Sequence, residues 1–168
     1  TSSDISGNTA THGSGIYNYG GTLTITSSTT VSGNTATTHG GGIYNHEGTI
    51  DITGSIISGN TAHFMGGIYN RNGTLTITSS TISSNISYDY GGGIDNDNGT
   101  LAITSSTITG NTAASGGGIF NRSGGSIDIT GSIISGNNVT GSGGGIRIWG
   151  TDTLTITGST ISYNTATN

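Results

Sequence analysis

The chain has 168 residues, of which 33 are glycine, with no proline, cysteine or lysine. Eight acids against three arginines leave a formal charge of −5, which speaks against nucleic acid as a partner because phosphate binding rests on clustered cations. No disulfide framework or thiol chemistry is open to it, and no apolar run approaches the roughly 20 residues that span a bilayer.

In chain order, the first element is Ile5-Ser6-Gly7-Asn8, an aliphatic residue followed two small residues later by asparagine. After a short Thr/His stretch comes a glycine cluster leading into Ile16-Tyr17-Asn18. Thr22-Leu23-Thr24-Ile25-Thr26 then alternates polar and aliphatic residues. The next element, Val31-Ser32-Gly33-Asn34, is the first one again. The same order recurs to the end, with the leading asparagines at Asn8, Asn34, Asn60, Asn85, Asn111, Asn137 and Asn164, spaced 26, 26, 25, 26, 26 and 27 residues apart.

A Gly/Ser bias without a period signals disorder, whereas a fixed period signals one supersecondary unit stacked on itself. The alternating β-branched segments are too short to make a sheet with their sequence neighbours, so each pairs with its counterpart one period away. This predicts an all-β, right-handed parallel β-helix with three parallel sheets, about 26 residues per coil, six full coils plus one strand, and a single domain over residues 1–168. Insertions fall only in connectors, such as Ser27-Ser28-Thr29-Thr30 and the stretch between each asparagine and the next glycine cluster.

The alternation assigns Ile16, Leu23, Ile25 and Val31, then Ile43, Ile50, Ile52 and Ile57, to the interior. The seven leading asparagines are expected at a bend, their amides stacked rung on rung. Asn18, Asn45, Asn70, Asn96 and Asn121 make a second column that ends in Ile148. Of the five Asn-x-Ser/Thr sequons, Asn85 and Asn121 fall in these columns and are expected to stay unmodified. Asn72, Asn98 and Asn138 lie in connectors.

The glycine clusters Gly40-Gly41-Gly42-Ile43, Gly91-Gly92-Gly93-Ile94, Gly116-Gly117-Gly118-Ile119 and Gly143-Gly144-Gly145-Ile146, together with the aliphatic-x-x-Asn element, resemble right-handed parallel β-helix repeats. They are most similar to those of polymorphic outer membrane proteins and related autotransporter-like adhesins, which carry GGA[ILV] and FxxN elements. Here Ile or Val stands where that family has Phe. The resemblance implies extracellular or cell-surface display, adhesion and stalk formation.

Three outer faces follow from the alternation. One is a threonine grid that includes Thr22, Thr24, Thr26, Thr74, Thr76 and Thr78, interrupted by Asp51, Ala102 and Asp128. A second carries Tyr17, Tyr44, Tyr69 and Phe120, with Asp95 and Arg147 in the same column, expected to be exposed. The candidate ligands are glycans for the aromatic column and ice for the threonine grid. The third face carries Thr30, Ile56, Thr81, Thr107, Ile133 and Thr160.

His12, His39 and His63 occupy one loop of successive coils and are read as solvated. Asp95-Asn96-Asp97-Asn98-Gly99 has oxygen donors but not the rest of a calcium loop. Neither metal nor cofactor is therefore expected. With the acids scattered about one per coil, no catalytic residues are assigned, and an enzyme is the least expected class. Both ends fall in the same phase of the repeat. End-to-end or lateral self-association into a filament, sheath or stalk is therefore the expected assembly, a segment of a longer array being equally compatible.

Overall fold

The computed structural model describes residues 2–26 and 28–167; Ser27, in the first long connector, lies outside the described residues. Every strand pairing is parallel and joins segments one period apart, as in Leu75↔Ile50 and Leu75↔Leu101. The chain is thus a solenoid of about six turns, its rungs separated by the ~4.8 Å of neighbouring strands.

It has four sheets rather than three. The first runs from Asp4–Ser6 to Thr160–Ser162 in seven strands, and the second from Thr9–His12 to Thr165–Ala166, also in seven. The third runs from Ile16–Tyr19 to Ile146–Trp149, and the fourth from Thr22–Ile25 to Thr153–Thr157, each in six. The second sheet is the stretch read from sequence as a loop between asparagine and glycine. Its inward positions are Ala36, Ala62, Ser87, Ala113 and Val139, all buried. These side chains are too small to give a hydrophobic alternation, yet they suit a narrow side of the coil. The surplus beyond six coils is accordingly two strands, not one.

The interior holds the expected aliphatics. Val31, Ile43, Ile50, Ile52 and Ile57 are wholly buried and Ile25 nearly so, with Ile16 and Leu23 packing half-buried on the same core. The residue before each leading asparagine takes the left-handed conformation: Gly7, Gly33, Gly59, Gly110 and Gly136, with Ser84 (φ 56°) and Tyr163 (φ 54°) in the two remaining coils. This residue turns the chain from the first sheet to the second. Glycine predominates because it alone reaches positive φ without steric cost.

Three polar ladders run along the axis. Each leading asparagine donates from Nδ2 to the Oδ1 of the next coil's asparagine, from Asn8 to Asn34 (2.9 Å) through to Asn137 to Asn164 (2.8 Å). From Asn34 onward the same Nδ2 also donates to a carbonyl of the preceding coil, as in Asn85 to Ile57 O. The second asparagine column runs in the same direction, from Asn18 to Asn45 (2.8 Å) and on to Asn121 (2.7 Å). A third ladder is made of serines. The backbone N–H groups of Ser55, Ser80, Ser106 and Ser132 donate to the Oγ of Ser80, Ser106, Ser132 and Ser159. The sequence signal was there, since a serine stands two residues before the core aliphatic of the first sheet in each of these coils.

Candidate functional site

The third sheet places two side chains outward in each coil, after its inward Ile and on either side of its inward Asn. One outward column is Tyr17, Tyr44, Tyr69, Asp95, Phe120 and Arg147. The other is Tyr19, His46, Arg71, Asp97, Arg122 and Trp149. The first column has the expected register but not the expected exposure. Tyr17 is half exposed, whereas Tyr44, Tyr69, Asp95 and Phe120 are buried. The second sheet and its connectors carry Phe64, Met65 and His39 over this face, making a small satellite core in which Tyr44 stacks on Tyr69 at 4.7 Å. The aromatic ladder therefore stabilises the sheet along most of its length.

Toward the C-terminal coils this face becomes polar. Arg122 draws together carboxylates from the preceding coil, with Nε 3.2 Å from Asp95 Oδ1 and Nη2 3.1 Å from Asp97 Oδ2. The Tyr69 hydroxyl donates to Asp97 Oδ2 at 2.9 Å. Burial pushes the Asp95 carboxyl up to about 7 against the pull of the Arg122 guanidinium. Burial beside Asp97 raises the Tyr69 phenol as well. Arg122 is thus part of a network that appears only once the coils are in register. The available signal was two acids and an arginine on one short segment of adjacent coils in a chain with few charges.

Beside this network a cavity of about 410 Å³ is lined by Tyr90, Phe120, Arg122, Ser123 and Trp149. It lies where the connector between third and fourth sheets lengthens by one residue. Asn121 Nδ2 reaches the carbonyl four residues on, at Gly125, whereas Asn18, Asn45, Asn70 and Asn96 each reach the carbonyl three residues on. Arg147 lies over the rings of Phe120 (5.3 Å) and Trp149 (4.7 Å) and makes no ion pair among the described residues.

The remaining sequence candidates are placed as follows. Thr22, Thr24, Thr26, Thr74, Thr76 and Thr78 face outward from the fourth sheet, and the strand pairings continue their columns through Asp51, Ala102 and Asp128. Ile56 and Ile133 are exposed in the first sheet. Asn85 and Asn121 are wholly buried, whereas Asn72, Asn98 and Asn138 are exposed. Of the three loop histidines, now on strands of the second sheet, two meet. His12 and His39 bring their Nδ1 atoms to 3.3 Å, and Thr38 Oγ1 lies 2.7 Å from His12 Nδ1. Burial, with His12 beside it, lowers the affinity of His39 for a proton. A one-residue register shift puts Phe64 opposite His39, and His63 turns away to Phe64 and Tyr88. Asp95 and Asp97 are engaged by Arg122 and Asn96 by the inner ladder, so that segment is not a calcium loop.

Comparison with curated proteins and with solved structures finds no match. A family model described as Periplasmic copper-binding protein (NosD) matches residues 1–167. Copper is held by imidazole and by thiolate or thioether sulfur, with three or more donors in a closed site. Here two imidazoles meet without a third His, Cys, Asp or Glu among the described residues. The single methionine, Met65, is buried against Tyr44 and Tyr69. This donor set does not make a copper centre. The agreement is in architecture, and in a family location outside the cytoplasm that is compatible with the one expected from sequence. With the match running nearly the full length of a parallel β-solenoid, the chain belongs to the NosD family.

Proposed function

We propose that the chain is a non-catalytic structural segment of a fibre, sheath or adhesin stalk on the cell surface or in the periplasm, working through axial self-association of its coils. The observation that carries this reading is the unbroken axial bonding. The leading asparagine and the strand edges repeat from coil to coil along the described rod, so in these groups the face one coil turns to the next recurs at each step. A contact built this way is heterologous and does not close, which is the geometry of a fibre. Low charge on the outward faces permits lateral packing of such rods, with Ile56 and Ile133 as regular apolar points.

Negative-stain microscopy and light scattering over a concentration series test this reading. Lengthening rods with rising mass are expected. Monodisperse rods of constant mass at every concentration would overturn it. A second reading, ice ordering by the threonine grid, is favoured by its outward in-register columns and is tested by thermal hysteresis.

A further inference from the structure

We propose that the cleft lined by Tyr90, Phe120 and Trp149 beside the third sheet is a binding site for a neutral saccharide. Three observations converge on that class.

The first is shape. The cavity, at about 410 Å³, falls in the range of small-molecule sites, about 300–1,000 Å³. Its rings pack on one another as a continuous aromatic wall, with centroids 5.3 Å (Tyr90 to Phe120) and 6.2 Å (Phe120 to Trp149) apart and Arg147 over one face of Trp149. Trp149 is half exposed although it carries the largest apolar surface of any side chain in the protein. A pyranose ring presents a flat face of C–H groups that gains from desolvation against such a surface, and its hydroxyls remain at the rim.

The second is unused hydrogen-bonding capacity. Arg122 commits Nε to Asp95 and Nη2 to Asp97 and Tyr69, leaving Nη1 without a partner among the described residues. Ser123 Oγ, Tyr90 OH and the Trp149 indole N–H also have none there. A rim of hydroxyl, phenol, indole and guanidinium groups beside aromatic faces matches a polyhydroxylated ring, whose vicinal hydroxyls both donate and accept.

The third is charge. Arg122 and Arg147 are opposed by Asp95, Asp97 and Asp152, the last accepting from the Gly124 N–H next to Ser123. The cleft thus has no surplus of positive charge with which to select a carboxylate or sulfate, and this favours a neutral sugar over an acidic one.

The site is independent of the self-association reading, since it opens sideways and is present in a single rod. Trp149 is the only tryptophan, so its emission reports on the cleft directly. The whole chain is titrated with cellohexaose, xylohexaose, maltohexaose and mannohexaose, and in parallel with oligogalacturonate. A saturable shift in emission with at least one neutral oligomer is expected, with Kd on the order of 1 mM or tighter. Calorimetry on Trp149→Ala, whose exposed position spares the fold, should then show at least a tenfold loss. Tyr163→Ala, at a fully solvated site, should bind as the parent does. Saturation by oligogalacturonate alone would overturn the neutral class. No saturable response to any neutral oligomer, or unchanged binding by a folded Trp149→Ala variant, would overturn the site.

Discussion

Asn85 donates to Asn111 Oδ1 and to Ile57 O and accepts from both the side chain and the backbone of Asn60, all in a wholly buried position. Asn85→Ala removes one partner of each bond and strands the neighbours' polar groups in a dry interior, with an expected loss of about 3 kcal/mol in urea unfolding. The residue before it behaves oppositely. Ser84 holds φ 56°, a conformation glycine adopts at this position in five other coils. Ser84→Gly should therefore raise stability by about 0.5–1 kcal/mol, the relief of backbone strain exceeding the added freedom of the unfolded chain.

Asp95 gives a pH dependence with a definite sign. Its ordinary value is 3.8 and its folded value about 7, so between these the native chain holds a proton that the unfolded chain has released. Its contribution is present in full below the unfolded value and is lost as pH rises through the folded one. His39, with lowered proton affinity, acts in the other direction, its contribution growing as pH rises toward 6.5. Comparison with Asp95→Asn cancels the histidine, which both chains carry. The stability of the parent relative to Asp95→Asn should fall from about pH 4 to about pH 8 in urea melts; a flat difference would show that Asp95 ionises normally.

At the level of elements, the strands of the first, third and fourth sheets were legible because each buries Ile, Leu or Val in alternation with polar residues. The second sheet was not, because its inward residues are Ala36, Ala62, Ser87 and Ala113, whose small side chains carry no period. Both asparagine columns could be read from spacing alone. The burial of Tyr44, Tyr69 and Phe120 could not, since it depends on connectors of variable length folding over the face. The Arg122 network and the cleft depend on register across coils and on a one-residue insertion, neither of which is a motif. Tight approach of coils also fixes one element sharply: a Cβ on Gly67 would run into the Gly93 carbonyl and the Asn85 side chain. Gly67→Ala should cost about 3 kcal/mol by displacing the backbone of two coils, seen as a lowered thermal midpoint.

For the whole molecule, stability is close to a sum over coils and their nearest-neighbour interfaces. Deleting residues 61–85 joins Asn60 to Ile86, which already pairs in register with Thr61, and so removes one coil without changing phase. The shortened chain should fold with a lower thermal midpoint and, by solution scattering, a rod about 4.8 Å shorter. A collapsed or disordered product would show that the coils are not interchangeable.

The asparagine ladders have a further consequence for the rod. Backbone peptide groups in the sheets point alternately up and down the axis and largely cancel. The side-chain amides do not, since in both columns the amide-to-amide bonds all run one way, Nδ2 donating to the Oδ1 of the next coil toward the C-terminus. Each amide carries a dipole of about 3.5 D, and these add head to tail. The rod therefore has an electrical polarity, positive toward its C-terminal end, which favours same-sense stacking along the axis and antiparallel alignment of rods lying side by side.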